Sequence, residues 1–321
     1  RTDDWTPPSA AKLLCDAPPP VPPQLIEGIL YMLGTILISG PSKSHKTFAA
    51  LDLAIAIAAG ERWLGHHTTK SPALYLNLEL QDFAITDRIS RICAARGMPP
   101  PPDLHVWNLR GKTITIAALS AKLPQMIAAL GAKAVCIDPH YKVSSVSDME
   151  ENSNDDQGKL LTLLEGICVN AGAALILTHH FAKGDASTKN AIDRASGGGV
   201  FARWGDVMLT FTPHEDDDCM TIEMSLRNFK PIQPFVVRWE YPRWQRDDNM
   251  DASKLKTAKG PKEKKSAKPV LESLGDGLLG YAEWFQRSGL HSESTFKRKR
   301  QELIDEGSVE MVGQMYRRKN S

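Results

Sequence analysis

Cysteine is scarce in this chain and is never clustered. Only five of the 321 residues are cysteines, and no two of them have the C-x-x-C spacing of a metal or redox site. This distribution excludes a disulfide framework and a cysteine zinc site, so we expect reduced packing residues of a cytoplasmic protein. The cysteines are Cys15, Cys93, Cys136, Cys168 and Cys219.

Long apolar runs are also missing. The apolar run from Phe48 to Ala59 is too short to span a membrane, which takes about 20 residues, so we expect no membrane contact. We also expect no signal peptide. Because residue 1 is Arg and not Met, we expect the natural chain to begin further upstream.

An excess of one charge sign is absent from the chain as a whole. The 39 Lys and Arg balance 38 Asp and Glu, and the net charge of +1 excludes a uniformly basic surface. The charge is nevertheless uneven, because residues 251–321 carry 15 basic and 10 acidic side chains, or +5, which leaves −4 for the rest. A basic tail behind a mildly acidic body predicts contact with nucleic acid at the C-terminal end.

The length and the hydrophobic content of 42% suffice for one large domain and one small one. Residues 1–24 are rich in proline, so we expect an extended arm that either lies on a neighbouring subunit or is a solvated tail. Residues 25–245 alternate short apolar strands with helical stretches. Residues 246–268 lose this pattern and gather lysines, which predicts a linker to a second unit at residues 269–321.

The alternation in residues 25–245 predicts an α/β fold. Its sheet should be mostly parallel with an antiparallel edge, because only turns separate the last strands. The predicted strands are Ile36–Ser39, Ala73–Leu78, Leu104–Trp107, Ala134–Ile137, Ala173–Thr178, Val207–Thr212, Met220–Leu226 and Phe235–Trp239. The predicted helices are Thr47–Ala59, Phe83–Arg96, Ile116–Leu130 and Asp155–Asn170.

The second unit has the pattern of a small winged helix-turn-helix. A helix around Trp284, a turn at Gly289, a helix from Ser292 to Glu306 and a hairpin around Gly313 follow one another. The second helix carries four consecutive basic residues, which we expect to face away from the core and to bind duplex DNA: Lys297, Arg298, Lys299 and Arg300. The alternative is a small fold that serves only protein contacts.

Residues 39–47 have the pattern of a phosphate-binding loop, and the other motifs are interpreted by their position relative to this loop. A strand, a tight loop and a helix in this order direct backbone N–H groups and the positive end of the helix dipole at one point, which suits a polyphosphate. Lys46 should reach the β- and γ-phosphates of ATP, and the Thr47 hydroxyl should ligate Mg²⁺. His45 replaces the second glycine of the motif, and histidine tolerates the positive φ expected there. The predicted nucleotide contacts are Gly40, Pro41, Ser42, Lys43, Ser44, His45, Lys46 and Thr47; the alternative is an ordinary strand-to-helix turn.

Three other strand ends carry polar residues that an ATPase needs at the same edge of the sheet. Asp138 ends an apolar strand, the Walker B pattern, and should lie beside the Mg²⁺ bound by Thr47. Glu79 follows the neighbouring strand and is either the base that deprotonates the attacking water or a surface glutamate. His179 and His180 end a third strand, where His180 either senses the γ-phosphate or is a structural residue.

Cationic residues follow the histidines. The polar stretch from Phe181 to Gly199 includes Lys183, Lys189 and Arg194, and it is predicted either to hold a DNA backbone or to be an ordinary surface loop. Beyond it, Arg203 and Arg227 are both candidates for an arginine that stabilises phosphoryl transfer in a neighbouring subunit.

Taken together, these motifs resemble the RepA-type hexameric ATPases of the RecA-like superfamily, which are replicative helicases of plasmids, phages and mobile elements. The resemblance covers residues 24–245 and rests on stretches in the same order. These are residues 40–47, Leu76–Glu79, Cys136–Pro139 with Glu150–Ser153, Thr178–Gly184, and Arg194–Gly198 with Ala202–Trp204.

The resemblance implies a RecA-like core and a ring of six subunits that binds ATP between neighbours and moves 5′ to 3′ on single-stranded DNA. It also implies partners in replication, an initiator or a primase. It assigns phosphate and magnesium contacts to Lys46 and Thr47, the catalytic carboxylate to Glu79 and the Walker B position to Asp138. His180 becomes the γ-phosphate sensor and Arg203 the finger acting in trans. His45 and the appended winged helix depart from the pattern.

Two other functions fit the same residues. The chain could be a winged-helix regulator in which the ATPase core is a nucleotide-dependent assembly switch, or it could be a recombination mediator. Stimulation of the ATPase by single-stranded DNA, together with unwinding of a forked duplex, distinguishes a helicase from both.

Overall fold

The structure is a computed structural model that describes residues 9–15, 20–112, 115–144, 153–180, 200–256, 267–290 and 293–319. The chain divides into two compact units, residues 1–257 and residues 258–321. No helix among the described residues has the length and apolar character needed to cross a membrane.

The first unit contains eleven strands among its described residues. They are β1 Gln24–Ile26, β2 Leu30–Tyr31, β3 Thr35–Gly40, β4 Ala73–Asn77, β5 Leu104–Asn108, β6 Ala134–Asp138, β7 Ala174–His180, β8 Val207–Pro213, β9 Cys219–Leu226, β10 Phe235–Glu240 and β11 Arg243–Asp247. The helices are α1 Ala10–Cys15, α2 Lys46–Ala59, α3 Asp82–Ala95, α4 Ile116–Leu130, α5 Tyr141–Ser144, α6 Asn154–Asn170 and α7 Val200–Trp204.

Nine of these strands form one sheet in the order β11-β10-β9-β8-β3-β7-β6-β4-β5. The six strands from β8 to β5 are parallel, and β9, β10 and β11 continue the sheet in antiparallel pairs. The phosphate-loop strand β3 is separated from the Asp138 strand β6 by β7. An α/β fold with a RecA-like P-loop core, as predicted, is therefore confirmed.

The parallel strands are buried on both faces, which explains their uninterrupted apolar sequences. Ile36 and Ile38 of β3 pack into the same cluster as α2 and α3, whereas Leu37 between them packs into the cluster of α4 and α6 on the opposite face. The helix α2 lies almost wholly inside the first cluster, in keeping with its composition of Ala, Ile and Leu. Because the central strands are enclosed in this way, their carboxyl ends are held at fixed positions along one edge.

Two segments of the first unit differ from the sequence predictions. The proline-rich arm contains the helix α1, because prolines are absent between Pro8 and Pro18 and the Ser9 hydroxyl caps the helix by accepting from the Lys12 amide (3.2 Å). The predicted linker begins inside the sheet, since β11 ends at Asp247. Lys254 and Lys256 pair with Glu215 (3.1 Å) and Asp217 (2.9 Å), so the chain stays on the first unit as far as these lysines.

The second unit combines three helices with a small antiparallel sheet among its described residues. The elements are α8 Lys268–Leu274, β12 Leu279–Gly280, α9 Tyr281–Arg287, α10 Glu293–Asp305, β13 Val309–Val312 and β14 Met315–Arg318, and the sheet has the order β12-β14-β13. Its core forms around Trp284 and Phe296, whose rings meet edge to face at 5.2 Å. The helix α8 was not predicted, and it adds Val270 and Leu274 to this core.

Candidate nucleotide-binding site

The phosphate loop connects the end of β3 at Gly40 to the start of α2 at Lys46. Gly40 is required because a side chain there would meet β8: an added Cβ would lie 2.9 Å from Cβ of Phe211. Two other loop residues, Lys43 (φ 65°) and His45 (φ 53°), adopt the left-handed conformation. His45 therefore has the positive φ that the sequence predicted for the position of the second glycine.

The side chain of His45 is held outside the loop by an aromatic contact. Its ring stacks in parallel on Trp239 of β10, with centroids 4.1 Å apart and an interplanar angle of 1°. Phe48 and Trp244 complete this cluster, each with its ring 6.1 Å from His45. The larger residue thus fits because the antiparallel extension of the sheet provides a surface for its imidazole.

Lys46 points back over the loop and is almost fully buried. Its Nζ donates hydrogen bonds to the carbonyl oxygens of Gly40 (2.9 Å) and Pro41 (2.6 Å) and to the Ser44 hydroxyl (3.3 Å). Burial lowers the pKa of Lys46 to about 8, while Asp138 and Glu79 oppose this shift. The ammonium group therefore lies where the phosphates of a nucleotide need a cation.

Asp138 is the last residue of β6, and its buried carboxylate is oriented from two sides. Tyr75 donates its hydroxyl to Oδ2 (2.6 Å), and Thr178 donates its hydroxyl to Oδ1. Tyr75 and Thr178 belong to the neighbouring strands β4 and β7, so the parallel register of the sheet brings both donors to this carboxylate.

One cavity of about 450 Å³ joins these groups to the rest of the predicted site. It is lined by Lys43, Ser44, His45, Lys46, Thr47, Phe48, Glu79, Leu80, Arg88, Asp138 and His180. Gly40, Pro41 and Ser42 belong to the loop but do not line the cavity. The two predicted magnesium contacts, Thr47 and Asp138, share the cavity with Glu79 and His180, which come from two other strand ends.

These residues fit ATP and Mg²⁺. A lysine and a helix N-terminus face a cavity of nucleotide size, and the His180 Nδ1 atom is buried without a hydrogen-bond partner among the described residues. One carboxylate and one hydroxyl suit Mg²⁺, which usually takes its other ligands from water and substrate phosphates. Lys46 and Thr47 would hold the phosphates and the metal ion, and Asp138 would lie beside that ion.

A family model described as an AAA domain matches residues 7–186, which is more than half of the chain. The chain belongs to this AAA family. It is a P-loop ATPase with a RecA-like sheet, and the candidate nucleotide site lies at the carboxyl edge of that sheet. The search of curated proteins found no match.

The two histidines of this AAA domain have different environments. His180 pairs with Gly40 in the β3–β7 register and lines the cavity, whereas His179 is stacked on Phe201 of α7, with ring centroids 4.1 Å apart. Burial, followed by the charge of Lys46, lowers the pKa of His180. Burial lowers the pKa of His179 to about 2. His180 is thus placed to contact a γ-phosphate as a neutral imidazole, and His179 is a packing residue.

The two candidate arginines follow the segment that the family model matches. Arg203 is in α7, whose Phe201 stacks on His179 at the carboxyl edge, and it lines a separate cavity with Asn154 and Asp155 at the start of α6. Arg227 follows β9, whose last residue pairs with the first residue of β8, so it lies at the amino edge, which the length of β3 separates from the phosphate loop by roughly 17 Å. Arg227 donates to the carbonyl oxygen of Arg203 (2.7 Å) and pairs with Asp206 (3.5 Å). Neither arginine lines the nucleotide cavity of its own chain.

Sequence reasoning missed several residues around the site. Tyr75 and Thr178 orient Asp138, but the sequence predicted them only as strand residues, with Thr178 also the first residue of a stretch that carries the resemblance. His140 follows Asp138, is buried against Thr178 and Gln157, and burial lowers its pKa to about 4. Arg88 of α3 lies over Phe48, 4.4 Å from the ring centroid. A signal for Arg88 existed, because residues 85, 88 and 92 share the inward face of α3.

The predicted DNA contacts divide into two groups. Lys183, Lys189 and Arg194 lie outside the described residues, as do Glu150, Glu151 and Asn152 of the resemblance. In α10, Lys297 and Arg298 are exposed, as expected. The expected orientation away from the core is wrong for Lys299, which is buried, and for Arg300, whose guanidinium donates to the Tyr316 hydroxyl (3.0 Å). Both follow Phe296 by three or four positions, so helical periodicity turns them toward the core.

Proposed function

We propose that this protein is an ATP-driven DNA motor of the RepA-type helicase kind, which translocates on single-stranded DNA as a ring of six subunits. The observation that supports it most is the single cavity that joins Lys46, Thr47, Asp138, Glu79 and His180. This set combines phosphate binding, metal binding, a general base and a γ-phosphate sensor, which is what hydrolysis coupled to motion needs.

In the proposed reaction, Glu79 accepts a proton from the water that attacks the γ-phosphorus, and the bond to the β,γ-bridging oxygen breaks to release ADP and phosphate. Lys46 neutralises the charge that develops on the phosphate oxygens. Asp138 is kept in place by Tyr75 and Thr178. Thr47 and Asp138 would hold Mg²⁺, which would neutralise negative charge on the phosphate oxygens. His180 donates a hydrogen bond to the γ-phosphate and loses it when phosphate leaves.

Arg203 completes the site of a neighbouring subunit in this proposal. Arg203 is exposed and does not line the nucleotide cavity of its own chain, which already contains Lys46 and Arg88. In a head-to-tail ring, the surface that carries Arg203 would meet the nucleotide edge of the next subunit. Arg227 is the alternative finger, although its bonds to the Arg203 carbonyl and to Asp206 favour a supporting role.

DNA is the proposed partner of both units. Single-stranded DNA would contact the stretch with Lys183, Lys189 and Arg194 in the ring. Duplex DNA would dock on the second unit, used as a winged helix, through Lys297 and Arg298. A replication initiator or a primase is the proposed protein partner, as the resemblance implies.

ATP hydrolysis by two variants tests the catalytic assignments. Glu79→Gln should bind Mg-ATP but hydrolyse it at least tenfold more slowly, because losing a general base usually lowers the rate by about 10²-fold or more. Asp138→Asn should instead weaken the magnesium-dependent part of nucleotide binding. Two variants that both fail to bind ATP would contradict this division of roles.

A nucleotide-switched DNA-binding regulator is the second candidate. The observation in its favour is the separate compact second unit, which carries exposed cations on a helix. Wild-type protein should unwind a forked duplex if it is a helicase, and Lys46→Ala should not. ATP-dependent changes in duplex binding without any strand separation would favour the regulator, and strand exchange would favour a recombination mediator.

A further inference from the structure

Glu79 also lines a second cavity. This cavity has a volume of about 530 Å³ and is lined by Leu78, Glu79, Leu109, Arg110, Gly111, Lys112 and Lys142. Three of these side chains are cations, and Glu79 is the one carboxylate in the described lining. Glu79 is therefore shared between this cavity, which we term the cationic cavity, and the cavity that contains Lys46 and Asp138.

Two of the three cations, Arg110 and Lys112, come from a turn directly after β5, and Lys142 comes from α5. Gly111 has a φ of 74°, which reverses the chain and leaves Arg110 and Lys112 exposed on either side of it. The turn is closed by a hydrogen bond from the Lys112 amide to the Leu109 carbonyl (3.0 Å). Arg110 and Lys112 form no ion pair with any carboxylate among the described residues, so both charges are available to an anion.

This turn is connected to the segment that positions Glu79. The buried Asn77 side chain donates to the carbonyl of Leu80 (2.8 Å) and to Oδ1 of Asn108 (3.0 Å), and it accepts from the Leu80 amide (2.9 Å). One side chain thus closes the turn around Glu79 and joins it to β5, immediately before Arg110. A displacement of residues 109–112 would reach Glu79 through Asn77.

We infer that the cationic cavity binds the phosphate backbone of single-stranded nucleic acid and that the bound strand frees Glu79 for hydrolysis. Without a strand, the combined charge of Arg110, Lys112 and Lys142 attracts the Glu79 carboxylate toward the cationic cavity, although Arg110 and Lys112 lie beyond ion-pair distance of it. Phosphodiester groups neutralise these cations, so the carboxylate turns toward the attacking water. The inference rests on the proposed function and gives it a route by which DNA stimulates the ATPase.

The test measures ATP hydrolysis and oligothymidylate binding over a series of salt concentrations. The variant is Arg110→Gln with Lys112→Gln. The matched control is Lys122→Gln with Lys133→Gln, which removes the same charge from exposed lysines that line neither cavity. Each phosphate contact on a single strand contributes about −0.7 to the slope of log affinity against log salt.

In the Arg110/Lys112 variant, we expect the magnitude of this slope to fall by about 1.4, because two phosphate contacts are removed. We also expect DNA to stimulate the kcat of this variant much less than that of the natural protein. The control should keep both. An unchanged slope and unchanged stimulation, in a wild-type protein that DNA does stimulate, would overturn this inference alone. A wild-type protein that neither binds nor responds to oligothymidylate would overturn the proposed function as well. Equal stimulation by inorganic tripolyphosphate would overturn the assignment to a nucleic-acid strand.

Discussion

His45 stands at a backbone position where most side chains are unfavourable. A left-handed conformation costs a non-glycine residue about 1–2 kcal/mol, and a stacked aromatic pair contributes about 0.5–1.5 kcal/mol beyond the area it buries. The stack on Trp239 therefore offsets much of the strain in the phosphate loop. At the residue scale, the stack on Trp239 therefore compensates for having His45 in place of the usual glycine. Trp239 lies nearly 200 residues from His45 in the sequence.

A double-mutant cycle tests this compensation. Trp239→Ala should weaken ATP binding about fivefold more in the natural protein than in His45→Gly, because glycine needs no partner at this φ. Affinity for a fluorescent ATP analogue measures both losses, and the cycle cancels the general effect of removing Trp239 from its aromatic neighbours. Trp239→Phe, which keeps a ring under His45, is the matched control. Equal losses in the two backgrounds would mean that the stack does not support the loop.

The pKa of Lys46 predicts how ATP binding depends on pH. Burial lowers this pKa to about 8, so the free protein loses the ammonium proton above that pH. The Kd for ATP should therefore rise above pH 8, by up to tenfold per unit, since binding must then take up a proton. The folded protein also binds fewer protons than the unfolded chain between about 8 and 10.5, so this group raises the free energy of unfolding with pH in that window.

Titration calorimetry at pH 7, 8 and 9 measures the effect. In the Lys46→Arg variant, the arginine cannot lose its proton in this pH range. The affinity of this variant for ATP, whether strong or weak, should therefore not change with pH. A Kd that stays constant across the series for the natural protein would contradict the lowered pKa of Lys46.

At the scale of single elements, α10 divides its basic residues between two faces. The Arg300 guanidinium lies 5.2 Å from the ring centroids of both Tyr281 and Tyr316, so it is part of the packing of the second unit. Lys297 and Arg298 are exposed, and the pairing of Lys297 with Glu293 (3.0 Å) on the surface contributes little stability.

We expect the two faces of α10 to respond differently to substitution. Lys297→Gln with Arg298→Gln should lower the magnitude of the salt slope of duplex-DNA binding by about 1.8 and leave hydrogen exchange in α10 unchanged. Arg300→Gln should speed exchange of the α10 amides, because the aromatic contacts of its guanidinium are lost. The affinity of the intact chain for duplex DNA, measured for both variants, distinguishes a DNA-contacting face from a packing face of α10. An unchanged salt slope in the first variant would exclude this face as a duplex contact.

At the scale of the whole molecule, the candidate nucleotide site and the candidate arginines occupy different places. One cavity contains phosphate-loop residues, Glu79, Asp138 and His180, whereas Arg203 lines a different cavity beside the start of α6. Neither Arg203 nor Arg227 lines the first cavity. Hydrolysis that uses the Arg203 of a neighbouring subunit must depend on assembly.

Mixing two inactive proteins tests this dependence. Arg203→Ala subunits retain the loop, and Lys46→Ala subunits retain the arginine, so mixed rings contain some complete interfaces. We expect partial recovery of ATPase activity on mixing, and the same experiment with Arg227→Ala tests the alternative finger. Mixtures that co-assemble, as judged by light scattering, but remain inactive would count against an arginine acting in trans.

The sequence alone determined the order of elements and most of the site. Short apolar runs bounded by turn residues indicate strands of an enclosed parallel sheet, and the polar residues that end such strands meet at one edge. Lys46, Thr47, Asp138, Glu79 and His180 were therefore predicted from local pattern. Only the tertiary structure decided the contacts between residues that are far apart in the sequence, because a local sequence pattern contains no information about them. The stack of His45 on Trp239, the donors from Tyr75 and Thr178 to Asp138, and the sharing of Glu79 between two cavities join residues far apart in the chain. The inward turn of Lys299 and Arg300 also depended on packing, because a run of four charges suggests solvent until the core fixes which side of the helix is buried.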